Sequence, residues 1–211
     1  MSSQKTYFTK PGYRSRKKPV PYNDNEEDSL TYQLDVYRYA AGQLTAGSAQ
    51  SVLDIGCGYG LKLKEFILPL TDQITGIDEA HAISYCRTHH DFGSWSVVNI
   101  EDASTPPSFG TFDIIISSDV IEHLIDPDHL LNLIRKCSTD KTRIILSTPE
   151  RDLRRGKDSM GPPKNPAHIR EWNQKEFAAY LSDRGVEILD HSIMNLREGM
   201  STCQTVLCRA A

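Results

Sequence analysis

Short apolar runs alternate with amphipathic stretches along most of this chain, and the two repeat lengths predict different elements. Residues 51–55 (SVLDI), 73–77 (QITGI), 95–100 (WSVVNI), 112–117 (FDIIIS) and 143–148 (RIILST) are rich in β-branched side chains and read as buried strands. Helical spacing fills the gaps, from about Gly60 to Leu68, from Glu79 to about His90, and after Asp126-Pro127, where Leu130, Leu131 and Ile134 share one face. Strand alternating with helix implies parallel strands joined by right-handed crossovers, with helices on both faces of the sheet.

The two ends depart from this alternation. Residues 1–27 read as an irregular arm, with basic residues at 14–18 set against acidic ones at 24–28. From Asp28, the spacing of Leu30, Leu34, Tyr37 and Ala41 predicts one amphipathic helix, with Asp28 or Ser29 as its cap. Near the other end, Asn173 and Glu176 form a capping box for a helix carrying Phe177, Tyr180 and Leu181. The runs 186–194 and 202–209 follow with no helix between them, so the last strand returns as an antiparallel hairpin. The expected fold is α/β, a doubly wound seven-stranded sheet with an antiparallel last strand, in one domain over 28–211.

Composition narrows the class. With 211 residues, 38% hydrophobic and 25% charged, the chain can build one substantial core and is neither fibrous nor disordered. The longest apolar run, Phe177–Leu181, is far too short to span a membrane, and the first residues carry no secretory signal, so a cytoplasmic protein is expected. Five cysteines with no CxxC pair suggest free thiols rather than disulfides or zinc. A net charge of -4 gives no general attraction to nucleic acid.

Candidate chemistry starts at Asp54-Ile55-Gly56-Cys57-Gly58-Tyr59-Gly60, where the first strand ends and a helix opens. Glycines there permit a tight turn and close approach of a ligand to the backbone, at the carboxyl ends of the strands. Asp78 ends the second strand, 22 residues beyond Gly56, where an acid can accept hydrogen bonds from a ribose diol. The third glycine comes one residue early for a dinucleotide fingerprint, which disfavours NAD. The carboxylate of Asp54 predicts a ligand that is cationic near the glycines.

These segments resemble the class I S-adenosylmethionine-dependent methyltransferase family, whose sheet is Rossmann-like. VLDIGCGYG (52–60) matches its first motif, GID (76–78) its ribose acid, IEDA (100–103) its adenine-contacting segment and FDIIISSDVIEHL (112–124) its fourth-strand motif. The resemblance implies S-adenosylmethionine as cofactor. It places Asp54, Gly56, Cys57, Gly58 and Gly60 around the methionine part, Asp78 at the ribose, Asp102 and Ala103 at the adenine and Ser118 near the sulfonium.

For the acceptor, a hydroxyl needs a base near neutral pH, and His168 is the candidate, ahead of Glu122 and His123. The loop 149–170 concentrates basic residues, with Arg151, Arg154 and Arg155 suited to an anionic acceptor. Its run PERDLRRG, followed by GPPKNPAHIREW, resembles methyltransferases of glycan or polysaccharide assembly. Asp119, Glu122 and His123 resemble the metal ligands of a small-RNA 2′-O-methyltransferase family, but Asp stands where that family has Glu, and no metal is expected. The expectation is a methyltransferase for a hydroxyl of a sugar, nucleotide-sugar or other anionic small molecule. The alternatives are a nucleic-acid methyltransferase and a non-catalytic module that binds the cofactor. The arm, with Tyr7, Phe8, Tyr13 and Tyr22, is expected to fold over the acceptor as a lid.

Overall fold

The computed structural model describes residues 7–21, 25–45, 49–102, 109–197 and 201–210. Seven strands form one sheet: β1 (Val52–Ile55), β2 (Ile74–Asp78), β3 (Ser94–Val97), β4 (Ile114–Ser118), β5 (Arg143–Pro149), β6 (Val186–Arg197) and β7 (Ser201–Ala210). Their order is β3-β2-β1-β4-β5-β7-β6, with β1 to β5 parallel. β7 inserts antiparallel between β5 and β6, pairing Leu146 with Val206. The hairpin expected from the missing last helix is present, and the chain is a single α/β domain of Rossmann-like architecture.

Alternation along each strand divides the core. Leu53, Ile115 and Leu146 face α4 (Asp128–Lys136) and α6 (Gln174–Asp183), with Trp172 and Tyr180 filling that layer. Val52, Ile114, Ile116 and Ile145 face the other way, towards α2 (Leu34–Ala41) and α3 (Ala80–His89). All five cysteines are buried and free, as their spacing suggests. Among the described residues no helix is long and apolar enough to cross a membrane.

Three elements differ from the pattern in ways that shape the site. The helix expected from Asp28 onward is two, α1 (Glu26–Ser29) and α2, separated by Gln33 in a left-handed conformation with φ +60°. Asn25, not Asp28 or Ser29, caps the first, its side-chain oxygen accepting from the Asp28 amide. The helix expected over 60–68 is a π-helical stretch, Leu63–Ile67, in which the Leu68 amide reaches back to Leu63. β3 ends at Val97, which leaves Val98, Asn99 and Ile100 as loop at the edge of a cavity.

Residues 7–21 of the arm form neither helix nor strand and are fastened to the segment 160–176, while α1 begins at Glu26, inside the bounds expected for the arm. The Arg14, Arg16 and Val20 amides donate to the carbonyls of Met160, Ile169 and Pro166, and the Trp172 indole N–H donates to Tyr7. Arg170 lies 4.2 Å from the centre of the Tyr7 ring while its guanidinium holds the carbonyls of Leu124 and Ile125.

Candidate functional site

A cavity of about 570 Å³ opens at the carboxyl ends of β1, β2, β4 and β5. Its first wall is the turn after β1. Gly56 has φ +81°, and a Cβ there would stand 2.3 Å from a Val120 methyl, so neither backbone nor space admits a side chain. Asp78 organises this wall: one carboxylate oxygen accepts from the Gly58 amide at 2.8 Å, the other from the Glu79 amide at 2.6 Å. Gly56, Gly58, Asp78 and Ser118 line the cavity.

Of the other residues expected at the cofactor, none that is described lines the cavity. Gly60 is turned against Trp95, and Cys57 is buried with its thiol pushed up by burial. Asp54 is completely buried and does not line the cavity. Burial raises its carboxyl to about 7, against the Tyr37 hydroxyl that donates to it at 2.7 Å and the charge of Lys62. Tyr37 and Lys62, neither of them expected at the site from the sequence, line the cavity. Tyr37 reads there only as part of an apolar helix face, and Lys62 carries no pattern signal. Asp102 is exposed and outside the lining, and Ala103 lies outside the described residues.

The opposite wall carries the titratable groups. His168 Nδ1 is 2.8 Å from Glu171 Oε1, and its Nε2 is 2.9 Å from the Asn165 amide nitrogen. The Asn165 oxygen is committed to the Ala167 amide, so the amide nitrogen donates and His168 is the Nδ1–H tautomer with an Nε2 lone pair. Burial works to raise the Glu171 carboxyl, but the His168 hydrogen bond and the charges of His168, Arg155 and Arg154 outweigh it and hold it low. The spacing of Asn165, His168 and Glu171 in NPAHIRE carried that signal.

Beside them, the Thr148 hydroxyl donates to one oxygen of the fully buried Glu122. The other, Oε1, has no hydrogen-bond partner among the described residues and lies 3.9 Å from His168 Nε2. Burial, then the charge of Asp119, lifts the Glu122 carboxyl well above its ordinary value, and burial drops the His123 imidazole to about 3. Donor atoms of Glu122, His123 and His168 all lie within 4.8 Å of one another, a set able to ligate a cation although none was expected. Asp119 has φ +53° and accepts from Ser147 and from Gln33, itself left-handed, so two strained residues meet at the rim.

The three arginines part company. Arg154 lines the cavity, and among the described residues its guanidinium has no ion pair. Arg155 lies outside the lining, its Nε 3.8 Å from Glu171. Arg151, expected at the acceptor, is 1% exposed and forked onto Glu176 with Asp152 alongside, so it belongs to the packing of α5 (Arg151–Arg155) on α6.

A family model described as a methyltransferase domain matches residues 27–191, most of the chain. The chain belongs to the class I S-adenosylmethionine-dependent methyltransferase family. A protein of Mycobacterium tuberculosis named as a probable S-adenosylmethionine-dependent methyltransferase is 28% identical over 168 residues, 79% of this chain and 58% of that protein. The chain thus spans little more than half the length of that mycobacterial relative. A ubiquinone biosynthesis O-methyltransferase of Xanthomonas axonopodis pv. citri is 28% identical, over 74% of this chain and 70% of its own. Among solved structures, the plantazolicin methyltransferase in complex with S-adenosylhomocysteine superposes with a TM-score of 0.61 at 18% identity, covering 88% of this chain and 86% of the other. The cofactor is S-adenosylmethionine. The side-chain-free turn at Gly56 and the anchored Asp78 carboxylate fit a nucleoside brought close to backbone.

Proposed function

We propose that this methyltransferase methylates a hydroxyl group of a small anionic molecule of the sugar or nucleotide-sugar kind. The observation that supports this reading is the pairing, in one cavity, of a carboxylate-oriented imidazole with an arginine that makes no ion pair among the described residues. Bound S-adenosylmethionine supplies an activated methyl group on a sulfonium, so the chain itself must align the acceptor, exclude water and take one proton.

His168 is placed for the last task. Glu171 holds Nδ1–H and stabilises the imidazolium that forms when Nε2 accepts the acceptor's proton. The acceptor hydroxyl takes the place of the Asn165 amide as donor to Nε2. Arg154 offers a planar fork to a phosphate or carboxylate on the same molecule. Gly56, Gly58 and Asp78 hold the cofactor, with Ser118 towards its reactive end. Pro19, Val20 and Pro21 of the arm line the cavity and cover the acceptor. The O-methyltransferase name of the Xanthomonas relative favours a hydroxyl acceptor.

The test is transfer of labelled methyl from S-adenosylmethionine to two panels, sugar phosphates and nucleotide-sugars on one side and single-stranded RNA on the other. Labelling of the first set, lost at high acceptor dilution in Arg154→Ala, supports the reading. Labelling of RNA alone replaces it with the nucleic-acid alternative.

A further inference from the structure

Two stretches far apart in the sequence, 14–18 and 156–164, run side by side on the surface and lead into the cavity wall, the first at Pro19 and Val20, the second at Asn165. The Arg14 amide donates to the Met160 carbonyl at 2.8 Å and its guanidinium to the Gly161 carbonyl at 3.0 Å. The Arg16 guanidinium donates to the Pro163 carbonyl at 2.6 Å. Together the two stretches carry six cations, Arg14, Arg16, Lys17, Lys18, Lys157 and Lys164, against one acid, Asp158, in a chain of net charge -4. Among the described residues none of the six makes an ion pair. The carboxylates packed nearby are committed elsewhere, Glu176 to Arg151 and Glu171 to His168, while Glu26, just beyond the arm, accepts from the Tyr85 hydroxyl on α3.

Unneutralised cations attract a polyanion, and the side chains set between them decide which kind. Single-stranded nucleic acid needs aromatic faces on which bases can stack. The described aromatic side chains of the arm are turned inward: Tyr7 and Phe8 pack against the core, and Tyr13 lies under Arg151, 5.2 Å from its ring centre, with its hydroxyl accepting from the Glu171 amide. What stands exposed beside the cations is aliphatic, Val20 at 53% and Met160 at 38%. Lysine and arginine interleaved with exposed aliphatic side chains match a bilayer interface, where the cations meet headgroup phosphates and the apolar groups enter the boundary beneath.

The geometry points to this strip as a docking surface for an anionic lipid bilayer. Because the strip ends at the cavity wall, a bilayer docked on it brings the mouth within reach of molecules held in the headgroup layer. The surface and the acceptor chemistry are separate matters, since none of the six cations lines the cavity.

Sedimentation of the full chain with phosphatidylcholine vesicles, with and without phosphatidylglycerol, tests it, with single-stranded RNA titrated alongside. Binding to the anionic vesicles only, weakening as salt rises, is the expected result. Lys17→Ala with Lys18→Ala should lower that affinity by roughly 30-fold, about fivefold for each cation lost at the surface, at an unchanged melting temperature and unchanged affinity for S-adenosylhomocysteine. Met160→Ser should weaken vesicle binding and leave any RNA binding as it was. Failure to bind anionic vesicles, or vesicle binding that the double lysine variant does not alter, overturns the proposal. So does equal binding of vesicles and RNA that Met160→Ser leaves untouched, which would make the strip a general polyanion surface, and RNA bound in place of vesicles would assign it to nucleic acid.

Discussion

His168 and Glu171, three residues apart on one loop, meet at 2.8 Å between Nδ1 and a carboxylate oxygen, and both side chains are almost fully buried. Because Glu171 is held in its ionised form, it fixes the imidazole tautomer and leaves the lone pair on Nε2, in a residue that lines the cavity. Removing the base should therefore cost turnover and not cofactor affinity. His168→Ala is expected to lower kcat by about 10²–10⁴-fold, with Glu171→Gln falling between it and the wild type. Stopped assays with labelled cofactor, alongside calorimetry with S-adenosylhomocysteine, separate the two effects. Wild-type turnover in His168→Ala would reduce His168 to a loop fastener.

The same lone pair cannot accept a proton and hold a cation, and this makes the acidic–imidazole cluster open to a direct check. With His168 acting as a base, turnover survives EDTA. Activity lost to chelator and restored by Mn²⁺ would instead make Glu122, His123 and His168 ligands, as their mutual spacing allows.

Arg151 and Arg154 are predicted to fail in opposite ways. Arg151→Ala strands Glu176 beside a buried gap, and breaking a buried pair costs about 3–5 kcal/mol, so the midpoint of urea unfolding should fall clearly. Arg154→Ala removes a guanidinium with no ion pair among the described residues and should leave that midpoint in place while raising the acceptor KM. Equal loss of stability in both variants would refute the division of labour.

The contrast between those two arginines also shows what could be read beforehand. The alternation of strands and helices, the antiparallel β7 hairpin and the Asn173 capping box follow from local patterns of apolar periodicity and turn chemistry, which tertiary context did not override. The glycine turn and Asp78 are likewise contiguous in chain and space. The acceptor end is assembled from long-range contacts, and there a count of basic residues could not tell that Arg151 would be spent on Glu176, 25 residues away. The left-handed Gln33, which splits the first helix and turns α2 towards the cavity, breaks an apolar spacing that predicts one continuous element. Tyr37 matched that spacing, but its hydroxyl meets Asp54, and no periodicity reports a hydroxyl's partner.

Asp54 should also be visible in the pH dependence of stability. Its carboxyl moves from an ordinary 3.8 to about 7, so between those values the folded chain holds a proton that the unfolded chain has released. Stability attributable to this group therefore falls as pH rises from about 4 to about 7 and is level above that. Asp54→Asn keeps an acceptor for Tyr37 and removes the titration, so its melting temperature should lose this downward slope relative to the wild type. Parallel melting curves for the two proteins across that window would show that Asp54 is not the group responsible.

The arm supplies the last test, because its two ends do different things. Tyr7 stacks on Arg170 and accepts from Trp172, whereas Pro19, Val20 and Pro21 form cavity wall. Deleting residues 1–22 removes both and should lower stability and raise the acceptor KM together. Val20→Asp changes only the wall: the side chain is already exposed, so folding is spared, but it sets a negative charge at the mouth through which an anion must enter. A rise in acceptor KM that shrinks with added salt, at unchanged melting temperature, is the expected outcome. An unchanged KM at low salt would mean that the acceptor enters from another side and that the arm serves only to brace the loop carrying His168.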